Sequence, residues 1–365
     1  ATAVAFIAGL DMDFETALAR HTSSATLTGG LEKSGAVSDR LRDLRGAPKF
    51  EAKGTGKDKA TESSLPDLGA APEFTGTQRW FNSAPLSLAR LRGRVVLIDF
   101  WTYTCINCLR TLPYLEAWDA RYRDAGLTIV GVHAPEFGFE HDAGNVARAI
   151  STNHIKYPVV QDNDLKTWDA WGNQYWPAEY LIDARGRVRH THFGEGEYGD
   201  TEAAIRSLLA ERGARVGTAR ARPHGITPVG TEATPETYVG AARAQGFVGT
   251  PPTAGTRTYT LPRAAPPLNG FALGGRWRIG DEPATAVAGA TLAATIQARF
   301  VYLVLSPPPG GQAGAVTVRV DGGAPRRIAV TRQRLYTLAS FGQTGRHALK
   351  LSFTPGTAAY AFTFG

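Results

Sequence analysis

Cys105 and Cys108 are the only cysteines among the 365 residues, and they stand in Thr-Cys-Ile-Asn-Cys-Leu. At that spacing each thiol has the other as its partner. A structural zinc site needs two further ligands, and no second Cys or His pair stands at a suitable interval. A small secreted scaffold would spread several cysteines along a short chain, which this sequence does not do. The residues before the pair, Arg94 to Trp101 (RVVLIDFW), read as a buried strand, and an apolar-periodic helical segment runs on to about Asp124. A thiol at a helix N-terminus faces unpaired N–H groups and a partial positive charge, which favour its thiolate. Such motifs lower a cysteine pKa from about 8.5 to roughly 3.5–7.5. The chemistry predicted is thiol–disulfide exchange, with Cys105 attacking and Cys108, one turn on, resolving. No metal and no cofactor beyond the dithiol is expected.

The elements that must position the pair follow from the apolar pattern. Leu127 to Val132 is a second buried strand, followed by a helix near Gly144 to His154 and a strand at Pro158 to Gln161. Ala178 to Asp183 and Val188 to Phe193 form a hairpin across Ala184-Arg185-Gly186, and a last helix covers Thr201 to Arg212. This order predicts an α/β domain with a mixed central sheet over residues 70–212. Residues 1–69 read as an N-terminal helix and a flexible linker, and residues 213–262 as a second linker rich in Pro, Gly, Thr and Ala. From 263 to 365, short alternating runs separated by turn signals such as Asp321-Gly322-Gly323 predict an all-β sandwich.

Val-Leu-Ile-Asp-Phe-Trp-Thr-Tyr-Thr-Cys-Ile-Asn-Cys, with Pro113 in the following helix, resembles the active-site region of the thioredoxin-like family. The resemblance implies roles for several residues. Asp99 matches the family's buried aspartate, which assists proton transfer to the resolving thiol. Trp101 matches the tryptophan beside the active-site loop. Trp176-Pro177 matches the cis-proline that lies against the dithiol and offers backbone to a substrate peptide. Ile106-Asn107 departs from the Gly-Pro of thioredoxin, so potential and pKa do not carry over. The helical insertion and the Ala71-Pro72-Glu73-Phe74 start are similar to the TlpA and ResA branch. With its β-rich tail, the chain resembles the extracytoplasmic C-terminal region of DipZ-type membrane electron relays, related to DsbD and CcdA. That resemblance implies disulfide-bearing protein substrates, an extracytoplasmic location, and tethering through a membrane portion absent from this sequence. It also implies a carbohydrate-binding, jelly-roll-like tail, in which Trp277, Tyr302 and Tyr336 could stack on sugars, although core packing is the commoner fate of such aromatics.

His133 and Glu136 follow the second strand, where open α/β sheets carry their sites, so a tuning or base role stands beside ordinary loop hydrogen bonding. Gly194-Glu195-Gly196-Glu197 reads as a turn. Lys and Arg number 40 against 33 Asp and Glu, for a net charge of +7. That surplus carries no nucleic-acid recognition motif, and no nucleic-acid partner is expected. Two other functions compete with exchange. A peroxiredoxin-like reductase would use Thr102, three residues before Cys105, but expects a distant resolving cysteine. A protein- or glycan-binding tail would make the redox domain an appendage. The opening Ala1 to Leu10 is apolar but too short to cross a bilayer, and the missing initiator Met suits a piece of something longer.

Overall fold

Val95–Trp101 sets the centre of the first sheet because all seven of its residues are buried, Asp99 among them. The computed structural model describes residues 49–50, 65–225 and 233–365. The expected N-terminal helix and most of the first linker lie outside these residues. The first sheet contains β1 (Gly69–Ala70), β2 (Trp80–Phe81), β3 (Val95–Trp101), β4 (Leu127–His133), β5 (Val159–Gln161), β6 (Ala178–Ile182) and β7 (Arg187–Phe193). Its order is β1-β7-β6-β3-β4-β5-β2. β3, β4 and β5 run parallel, whereas β6 and β7 return antiparallel, so the sheet is mixed as the sequence predicts.

Four helices accompany this sheet: α1 (Ile106–Tyr122), α2 (Ala143–Thr152), α3 (Lys166–Trp171) and α4 (Tyr198–Glu211). α1 buries Leu112, Leu115 and Trp118 at the period of a one-sided helix. Leu115 is fully enclosed with Leu97, Ile129 and Ile205, so Leu115→Ala should cost about 2–5 kcal/mol in chemical denaturation. The hairpin turn is closed by Asp183, whose carboxylate accepts from the N–H groups of Arg185 and Arg187, with Gly186 at φ +79°. α3 had no forecast. It spans six residues and starts from Leu165 in the left-handed region, with no side-chain cap. Phe50, inside the stretch expected to be linker, is buried beside Trp171 and Tyr180.

The second domain is an antiparallel sheet of β8 (Thr237–Tyr238), β9 (Gly255–Tyr259), β10 (Gly270–Ile279), β11 (Ala284–Ser306), β12 (Gly314–Val320), β13 (Arg326–Val330), β14 (Arg334–Phe353) and β15 (Ala358–Phe364). Both ends of β11 pair with β15, at Ala284–Thr285 and again at Val301–Ser306. This 23-residue strand therefore bends back and wraps the sheet around one core, which holds Trp277, Ile296, Leu303, Leu351 and Phe362. β8 and β9 fall inside the range expected to be a linker. Their backbone hydrogen bonds recruit them as edge strands despite few apolar residues. Trp277, Tyr302 and Tyr336 are all buried, and the indole N–H of Trp277 donates to the Gly274 carbonyl. They have no exposed face on which a sugar could stack, so core packing, the commoner fate given above, is what the structure shows.

The two domains touch where β4 ends. Phe137 packs with Val304, Tyr360 and Ala361, and Phe139 lies edge-on to Tyr360 at 4.9 Å. The N–H of Gly138 donates to Glu282 at 3.0 Å, and Asn145 donates to Gln333 at 3.0 Å. The loop after β4 is thereby held from both sides. Among the described residues, no helix is long and apolar enough to cross a membrane.

Candidate active site

Cys105 occupies the N-cap of α1, and its Sγ accepts the backbone N–H of Cys108 at 3.3 Å. That contact and the helix dipole are what a thiolate needs at this position. Cys105 is half-buried and both sulfurs are free thiols, whereas Cys108 is 1% exposed. Burial pushes the Cys108 thiol well above its ordinary range, and the adjoining Cys105 sulfur and the Asp99 charge add to the effect. One sulfur can thus meet a substrate while the other waits protonated beneath it.

Asp99 lies inside the sheet, and neither of its carboxylate oxygens has a hydrogen-bond partner among the described residues. Burial holds its carboxyl well above the usual carboxylate range, and Glu179 raises it further. Glu179 is the direct cross-strand neighbour of Asp99 on β6. A buried charge without a partner is costly, which makes Asp99 a candidate for proton exchange with the thiol above it.

Pro177 is buried, and the Trp176–Pro177 peptide is cis. Ala178 pairs with Phe100, which sets Pro177 beside the end of β3 from which the Cys105 loop departs. Trp176 is half-buried, packs on Trp168 at 4.3 Å, and donates its indole N–H to the Ala134 carbonyl. Tyr175 before it is exposed. Trp101, by contrast, is fully buried and offers no surface to a substrate. Its ring fits because residue 131 is glycine, where a Cβ would come within 3.0 Å of the indole nitrogen.

His133 is enclosed between Trp101 and Tyr103, and its ring nitrogen lies 3.5 Å from the Thr102 hydroxyl. Burial lowers its pKa to about 3, so it remains neutral at physiological pH and serves as packing. Glu136 is engaged across the domain junction, where it accepts from Tyr238 at 2.6 Å and pairs with Arg243 at 2.9 Å. The structure therefore gives neither residue the tuning or base position considered from sequence.

The carboxylate beside the dithiol loop is Glu140, which the sequence reading missed. It accepts the hydroxyl of Thr104 at 2.6 Å and the N–H groups of Glu136 and Phe137 at 2.6 and 3.0 Å. It fastens the loop after β4 to the residue preceding Cys105. Burial pushes its carboxyl up to about 7, with the Thr104 hydrogen bond opposing. A folded-state pKa above the unfolded value of 4.5 means stability from this group is complete below about pH 4.5 and lost as pH rises through 7. Glu140→Gln keeps partners for all three groups if the Thr104 hydroxyl turns round. Its stability relative to the parent should therefore rise between pH 4.5 and 8, as denaturation midpoints across that range would show.

Arg110, two residues past Cys108, is buried and pairs with Glu195 at 3.2 Å. The Gly194–Glu197 turn thus also ties the loop after β7 to the active-site helix.

Residues 68–209 match the Redoxin family model, and residues 234–365 match the "Thioredoxin like C-terminal domain" model. DipZ of Mycobacterium bovis is 36% identical over 313 residues, covering 83% of this chain and 44% of that protein. The chain thus spans less than half the length of this relative. The thiol-disulfide oxidoreductase YkuV of Bacillus subtilis is 30% identical over 140 residues, covering 38% of this chain and 94% of the relative. A thioredoxin-like protein solved in its oxidised form is 30% identical and covers 39% of this chain and 96% of its own, with a TM-score of 0.37.

Proposed function

The chain belongs to the thioredoxin-like thiol-disulfide oxidoreductases, and from that premise we propose that it reduces disulfides in protein substrates outside the cytoplasm. The half-buried Cys105 sulfur at the α1 N-terminus, above a buried Cys108 and Asp99, carries the reading. Cys105 thiolate attacks one sulfur of a substrate disulfide, and the other sulfur leaves as a thiolate. Asp99 takes the Cys108 proton. The Cys108 thiolate then attacks Cys105, forming the Cys105–Cys108 bond and breaking the mixed disulfide. Two electrons pass from the protein to the substrate, whose thiolates are protonated from solvent. Backbone at Pro177, with Trp176 and Tyr175 beside it, receives the substrate segment. No further cofactor enters these steps.

Re-reduction of the pair requires a donor, and likeness to DipZ favours a membrane relay borne on a portion outside this sequence. In the same reading, residues 70–212 form the redox domain. The β domain braces the loop after β4, and a carbohydrate role for it would have to use residues other than Trp277, Tyr302 and Tyr336. A peroxide reductase is disfavoured because the only resolving thiol adjoins the attacking one. The reduced full chain should convert insulin disulfides to thiols at one disulfide per protein, followed by thiol counting. Failure to exchange with insulin, combined with rapid consumption of hydrogen peroxide, would move the assignment to the alternative.

A further inference from the structure

Asp99, Glu179 and His192 stand in one row across β3, β6 and β7, because Asp99 pairs with Glu179 and Glu179 pairs with His192. Direct cross-strand neighbours have Cβ atoms about 4.5–5.5 Å apart, so the three side chains share one face in sequence. Each presents a buried polar atom with no hydrogen-bond partner among the described residues: both Asp99 oxygens, Glu179 Oε1 and His192 Nε2. The other ends are anchored. Glu179 Oε2 accepts the Thr201 hydroxyl at 3.0 Å, and His192 Nδ1 lies 3.5 Å from Glu197, whose side chain is 74% exposed. The row therefore begins under the resolving thiol and ends at water.

We propose that Glu179 and His192 conduct the proton that Asp99 takes from Cys108 out to solvent as Cys108 ionises, so that proton release is part of the resolution step and leaves Asp99 reset. The inference rests on the roles proposed above for Cys108 and Asp99. In the resting pair the two carboxyls share one proton, because two adjacent buried carboxylates cannot both be charged, and the form with Asp99 ionised and Glu179 protonated is the one that accepts from Cys108. When Cys108 loses its proton to Asp99, both carboxyls are protonated. Glu179 then passes its proton to His192, which gives it up beside Glu197, and the Asp99 proton moves to Glu179. No electrons move in these steps, and one proton leaves for each Cys105–Cys108 bond formed. Burial places the Glu179 carboxyl at about 7, where it can accept and release a proton at little cost.

The groups facing this row are few. Cys108 meets it from α1, Tyr157 from the segment before β5, and Thr201 from α4. His190, next to His192 on the same face of β7, lies 3.3 Å from the Thr201 hydroxyl, and Glu197 and Asp200 approach from the start of α4. Glu179 and His192 are positioning residues for the Asp99 proton and touch neither sulfur nor substrate in this account.

The test uses the full chain in single turnover with a small aromatic disulfide whose thiol leaving group absorbs. Attack by Cys105 and resolution by Cys108 are read as separate phases between pH 6 and 9. Glu179→Gln and His192→Ala should each slow resolution about tenfold or more at pH 7. The attack phase should stay within about twofold of the parent. Imidazole in the buffer should restore resolution in His192→Ala and leave Glu179→Gln slow. Resolution at the parent rate in both variants overturns the route, as does a His192→Ala defect that imidazole leaves untouched. An absent attack phase in the parent would instead remove the exchange mechanism itself.

Discussion

Cys108→Ser should accumulate a covalent mixed disulfide with its substrate, whereas Cys105→Ser should lose turnover by at least about a thousandfold. The asymmetry follows from burial. Cys105 is half-buried at a helix N-cap and can be reached by a substrate sulfur, while Cys108 is 1% exposed and can be reached only by Cys105. Removing the inner thiol leaves the first bond-forming step intact and deletes the second. Non-reducing gels and intact mass of the Cys108→Ser protein, mixed with a disulfide-bearing protein, would show the adduct. Equal trapping by both variants would mean that either sulfur attacks, against the observed burial.

Asp99→Asn should slow resolution by about a hundredfold at neutral pH and stabilise the fold at the same time. The two effects have one cause. Burial and the neighbouring Glu179 raise the Asp99 carboxyl in the folded protein, so ionising it there is more difficult than in the unfolded chain. Its contribution to stability is complete below the ordinary carboxyl pKa of about 3.9 and declines as pH rises above it. The melting temperature of Asp99→Asn should therefore exceed that of the parent at pH 7 and approach it near pH 4. A variant less stable than the parent at pH 7 would mean that Asp99 serves structure and not proton transfer.

The centre of this site was legible because its signals are local. An apolar run, a cysteine at its end and an apolar-periodic segment beyond it specify strand, N-cap and helix without distant information. The hairpin was legible for the same reason, through Gly186 and the alternation on either side. Glu179, like Asp99, is a lone acid in an apolar strand and could have been found by that signal, whereas Asp99 itself was named through the family resemblance. Glu140 was less visible, since its partners Thr104 and Phe137 come together only when the loop after β4 folds back. Glu136 looked like a site residue by position, yet its partners Tyr238 and Arg243 lie 102 and 107 residues away. β9 reads Gly-Thr-Arg-Thr-Tyr, and its place is fixed by backbone pairing with β10, which side-chain patterns do not announce.

The midpoint potential of the Cys105–Cys108 pair, titrated in defined dithiol–disulfide buffers with the full chain, bears on the central claim most directly. A single two-electron transition at or below about −220 mV is the predicted result, the poise of a reductant that depends on an upstream donor. A midpoint above about −180 mV, or no transition in any accessible buffer, would contradict it.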